Sequence, residues 1–155
     1  MPPRRMDTQR LLAALNEQRA ALGQPPQAEA MELGETVLAE ACASAVLAAL
    51  DAGQQPQREA LRAAVRYLLD LLAAAAPGRA VEVRVPPFGA VQCIEGPRHT
   101  RGTPPNVVET DPVTWVTLAS GRSSWAEATG AGLVSASGPR ADLSQYLPLL
   151  PAPTP

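Results

Sequence analysis

Lysine is absent from this chain of 155 residues, which has a single histidine, two cysteines, and only two tryptophans, two tyrosines and one phenylalanine. Each scarcity closes off a class of chemistry. One histidine (His99) and two distant cysteines (Cys42 and Cys93) offer no recognised metal-ligand spacing, so no metal and no other cofactor is expected. The same two cysteines are too few for a disulfide framework, and a reducing cytoplasm is the compartment they suggest. No apolar run reaches the roughly 18 residues of a spanning helix. The segment Met1–Arg5 carries two arginines without the apolar stretch of a signal peptide. Stable membrane insertion is therefore not expected, and the expected localisation is cytoplasmic. With 13 basic and 15 acidic residues the formal net charge is -2, and no basic helix interleaves arginine with aromatics. Nucleic acid is not an expected partner.

What is present is alanine, proline and aliphatic side chains. The apolar fraction of 46% leans on alanine, which favours helices but buries little surface. All the aromatics except Tyr67 fall after residue 80, and the better packed core is expected there.

Periodicity sorts the first half into helices. Leu11, Leu12, Leu15 and Leu22 mark an amphipathic helix over 7–23, with Asp7 or Thr8 as cap and Gly23 at its end. Pro25 and Pro26 interrupt the chain. A second helix is predicted over 34–52, with Val37, Leu38, Ala41, Ala45 and Leu50 as buried candidates. A third starts after Pro56. Its stripe of Leu61, Ala64, Val65, Leu68, Leu69 and Leu72 lies opposite Arg58, Arg62, Arg66 and Asp70, and Pro77-Gly78 ends it.

The period then changes to two. Val81, Val83 and Val85 alternate with Glu82 and Arg84, a strand with one covered and one wet face. Pro86-Pro87 turns the chain into a second strand over 88–95, and 106–110 forms a third. Asp111-Pro112 reads as a helix cap followed by proline in the first turn, opening a helix to about Ser120. A short helix over 123–129, a strand over 133–137 and a last short helix over 141–147 with Leu143, Tyr146 and Leu147 inward complete the order. From Pro148 no regular packing is expected, and residues 151–155 are read as a mobile Pro-rich tail.

The stretch NVVETDPVTWVTLASGRSSWAEATGAGLVSASGPRADLSQYL resembles the sterol carrier protein type domain. The resemblance is carried by the strand ending in Asp111, by Trp115 on the following helix, by the turn Ser120-Gly121-Arg122, and by Trp125, Ala128, Gly132 and Gly138. The segment VRVPPFGAVQCIEGPRHTRGTPPNVVETDP is similar, more narrowly, to a bacterial branch of that family. The resemblance implies an α+β fold: a small, twisted, mainly antiparallel sheet covered by helices, with an apolar tunnel between sheet and helices. Four strands are clear, so the sheet has four to five: either a fifth lies around 96–105 or the sheet is smaller than the resemblance implies. Residues 54–150 then form the sterol-carrier-like domain and 1–53 an N-terminal helical extension.

The function implied is a non-catalytic binding or carrier domain for a lipid-like small molecule: a fatty acid, an acyl thioester or a sterol-like lipid. The expected apolar lining is Val81, Val83, Val85, Phe88, Val91, Trp115, Leu118, Trp125, Leu133, Leu143, Tyr146 and Leu147. An ordinary core would use the same residues. Arg98, His99 and Arg101, on the one loop with varied ionisable groups, are candidates for gripping an anionic head group, against the plainer reading that they are solvated or tie down Glu95 and Glu109. Two alternatives stand beside this. One is a protein interaction or oligomerisation module with a collapsed tunnel, including a homodimer through the N-terminal helices. The other is an enzyme using the loop around His99. A nucleophilic Cys93 would need a base and an orienting group that the spacing does not supply, so no catalytic residue is assigned.

Overall fold

A computed structural model describes residues 6–28, 33–97 and 106–151. The chain divides into two compact units, residues 1–67 and 68–155, with the division falling inside one long helix. Among the described residues no helix is long and apolar enough to cross a membrane.

The first unit is helical: α1 (Thr8–Ala21), α2 (Glu35–Asp51) and the opening turns of α3 (Arg58–Ala75). Asp7 caps α1 by accepting from the Arg10 N–H at 2.9 Å. The spacing of Leu11 and Leu15 brings both to one face, where they are buried with Met6, Ala14, Leu38, Cys42, Ala45 and Ala63. The deeply buried amide of Gln18 crosses to the start of α3 and accepts from the Gln57 N–H at 2.7 Å. Gln57 stands just before the first helical residue, so a side chain from α1 satisfies a donor that α3 cannot satisfy itself. One expected core residue is misplaced. Val37 is 48% exposed, because the inward stripe of α2 runs through Leu38, Cys42, Ala45 and Val46. The alanine-rich helix is apolar on more than one side, so its sequence does not say which side turns inward.

The second unit is α+β. Its sheet has the order β2-β1-β3-β4, built from β1 (Val81–Val85), β2 (Gly89–Cys93), β3 (Asn106–Thr110) and β4 (Val134–Ser137). β1 pairs antiparallel with β2 and parallel with β3, and β3 pairs antiparallel with β4. The sheet is thus mixed, with two of its three pairings antiparallel. Registers Val83↔Val91 and Val83↔Val108 put the odd-numbered valines of β1 on one face with Cys93 and Val108. That face is covered: Val81, Val83, Val85 and Cys93 are fully buried. The other face carries Glu82, Arg84, Gln92 and Glu109 and stays partly wet, with an Arg84–Glu82 ion pair at 2.7 Å.

Pro86-Pro87, joined by a cis bond, makes the turn between β1 and β2. After β3 the sequence signals hold closely. Asp111 caps α4 (Pro112–Ala119) by accepting from the Thr114 N–H at 3.0 Å, and Ser124 caps α5 (Trp125–Gly130) by accepting from the Glu127 N–H at 3.0 Å. The helix expected over 141–147 shrinks to a single 3-10 turn, η1 (Ser144–Tyr146). The chain after it is less loose than its prolines suggested, since the Leu149 and Leu150 amides donate to the Ala119 carbonyl at 2.8 and 3.1 Å. The stretch 96–105, where a fifth strand is one of the two alternatives, falls largely outside the described residues, and so do residues 152–155 of the tail.

Candidate functional site

The residues expected to line an apolar site sort themselves by depth. Val81, Val83, Val85, Trp115, Leu118 and Leu143 have at most 1% of their surface exposed, and Phe88 is buried at the β1–β2 turn. Val91, Trp125, Tyr146 and Leu147 are half-buried. Leu133, which precedes β4, is 52% exposed. Parity accounts for the strand members, because β1 sits between two neighbours and buries alternate side chains fully. The helical members are buried because α4 is short and apolar, holding Trp115, Val116, Leu118 and Ala119 inside. Arg98, His99 and Arg101 lie outside the described residues.

A polar concavity of about 360 Å³ opens beside the end of β2, lined by Ile94, Glu95, Arg140, Asp142, Ser144, Gln145 and Tyr146. Two stretches distant in sequence meet there, and a buried side chain fastens them. Asn106, 3% exposed, donates from Nδ2 to the Ala80 carbonyl at 2.9 Å and accepts the Arg140 N–H on Oδ1 at 2.9 Å. The Arg140 guanidinium donates from Nη1 to the Glu95 carbonyl at 3.4 Å. Hydrogen bonds from the Ser144 N–H and hydroxyl hold the Asp142 carboxyl below its usual range. Apart from Tyr146, read as apolar lining, and Glu95, read as a carboxylate beside the polar loop, sequence reasoning missed this cluster. Arg140 follows a Gly-Pro turn like any surface arginine, and nothing in its neighbours signals Asn106.

The thiols do not look reactive. Burial pushes Cys42 and Cys93 up to about 11, so both stay protonated at neutral pH and neither supplies a thiolate. Among the described residues no cluster of His, Cys, Asp and Glu could hold a metal ion.

A family model described as "Bacterial SCP ortholog" matches residues 57–149, well over half of the chain. The chain belongs to the bacterial sterol carrier protein orthologs. No curated protein matches it. The match begins at Gln57, whose N–H donates to the Gln18 side chain of α1, and ends after η1. The sheet, α4, α5 and the polar concavity all fall within the sterol carrier protein region, whereas α1 and α2 lie before it.

Proposed function

We propose that this sterol carrier protein ortholog is a non-catalytic binding or carrier domain for an apolar ligand, in the class of fatty acids, acyl thioesters and sterol-like lipids. The family match over residues 57–149 carries the reading. The buried apolar side chains of that region, Val83, Trp115, Leu118 and Leu143 among them, support it. We assign the ligand's apolar contacts to these residues, within a domain spanning 54–150 preceded by a helical extension. Two buried thiols without a disulfide suit a cytoplasmic carrier. Each methylene transferred from water contributes about 0.8 kcal/mol, so a bound acyl chain supplies ample driving force before ordering costs.

The test is direct. Protein purified gently and examined by native mass spectrometry should carry lipid-sized adducts, and delipidated protein should bind a fluorescent fatty acid and melt at a higher temperature with it. Bare protein throughout, with no lipid raising the melting point, would refute the proposal.

A second reading, an oligomerisation role for the helical unit, is favoured by one observation. A groove of about 570 Å³ lies between α1 and α2, lined by Leu15, Val37, Ala41, Ala45 and Ala48 among others, and leaves Val37 half-exposed. Light scattering after size exclusion separates this reading from the first, since a monomer at high concentration removes it.

A further inference from the structure

The concavity beside β2 is a built feature. Ile94 adopts φ 66°, a left-handed conformation that a β-branched side chain occupies only under strain. Two backbone bonds hold it there: its N–H donates to the Ala76 carbonyl at 2.7 Å, and its carbonyl accepts from the Ala80 N–H at 3.0 Å. Arg140 on the facing stretch is fixed through Asn106, as described above. Gly96 leaves the space its guanidinium occupies, since a Cβ at that position would stand 3.0 Å from Nη1 and 2.7 Å from the Ala80 Cβ. The Glu95 carbonyl, at 3.4 Å, engages one donor only weakly, and among the described residues the guanidinium has no carboxylate partner. Tyr146 and Gln145 line the same concavity, and neither side chain has a hydrogen-bond partner among the described residues.

We propose that this concavity receives the carboxylate head group of a monoanionic amphipathic ligand, with Arg140 as its ion partner and Tyr146 and Gln145 as neutral donors. The inference rests on the carrier reading and narrows it to fatty-acid-like ligands. Charge sets the class. The Asp142 and Glu95 carboxylates line the same concavity as Arg140, so they oppose a doubly charged ligand more than a singly charged one. A phosphate monoester, with a charge of about -1.5 to -2 near neutral pH, is repelled more than a carboxylate, and an alcohol gains no ion pair. Size agrees, because about 360 Å³ is near the low end for ligand pockets, roughly 300 Å³, and suits a head group rather than a whole lipid. Leu143, between the lining residues Asp142 and Ser144, is fully buried, so one short stretch both lines the concavity and contributes to the buried interior.

The experiment titrates the delipidated full chain with dodecanoic acid, dodecanol and dodecyl phosphate, each kept below its micellar concentration. Dodecanoic acid should bind about tenfold tighter than either of the others, the scale of one charge-assisted hydrogen-bonded pair. R140Q should lose that preference while its affinity for dodecanol is unchanged, and R140K should retain part of it. Should R140Q fail to fold, the wild-type chain still decides the matter by NMR: the Arg140 side-chain Nε–H resonance should shift with the acid and stay in place with the alcohol. Equal binding of acid and alcohol, a preference that survives in R140Q, or an Nε–H resonance indifferent to the acid overturns the head-group assignment and leaves the carrier reading standing. Failure of all three ligands to bind overturns both.

Discussion

A Cβ on Gly78 would stand 2.0 Å from the carbonyl oxygen of Ile94, and Gly78 itself holds φ +149°. The chain leaves α3 through this point and enters β1, while the corner after β2 closes on the same spot through the Ile94–Ala76 bond. Only a residue without a side chain fits. Gly78→Ala should lower stability by roughly 3 kcal/mol, because backbone strain adds to a clash with a backbone atom that cannot rotate away. Urea unfolding measures it, and a loss of under about 0.5 kcal/mol would show that the corner yields easily.

Helix capping gives a second measurable pair. Asp111 and Ser124 each accept a backbone N–H three residues on, and each replacement by alanine should cost about 1 kcal/mol. The two sites cap different helices, so the double variant should show the sum of the two losses.

Depth separates the tryptophans. Trp115 is 1% exposed and Trp125 is half-buried. In a W125F variant the remaining emission should be blue-shifted and poorly quenched by iodide, whereas W115F should leave a signal that iodide quenches readily. Trp115→Ala should cost about 3–5 kcal/mol, and Leu133→Ala, at 52% exposure, within about 0.5 kcal/mol.

The cysteines predict an alkaline limb. Their folded values of about 11 stand above the ordinary thiol value of 9.0, so the unfolded chain releases these protons first as pH rises. Stability from the buried thiols is intact below pH 9 and is lost progressively toward pH 11. A variant with alanine at positions 42 and 93 should show a flatter decline over that window, by thermal melts in a pH series. Native protein at pH 7 should also resist thiol reagents until it is unfolded.

How far the sequence could be read depended on how local the signal was. Alternation in Val81, Val83 and Val85 placed β1 and its covered face because a period of two needs no partner to be recognised. Asp111-Pro112 and the bounds of β3 were legible for the same reason. The parallel pairing of β1 with β3 was not, since two strands of like pattern can pair in either direction. Val37 misled because an alanine-rich helix has no sharply polar side, and the helix expected over 141–147 shortened to η1. At the candidate site, the depth of Trp115 and Leu143 followed from hydrophobicity. The Arg140–Asn106 link joins residues 34 apart in sequence and could be seen only once the chain had folded.

The sheet places two strands, β1 and β3, between neighbours, while β2 and β4 stand at the rims. Hydrogen exchange should therefore report a gradient, with amides of β1 trading deuterium only on rare large openings and those of the four-residue β4 trading through frequent small ones. The rim formed by β4 is the margin that can give way while the valine strand keeps its bonds to β2 and β3 alike.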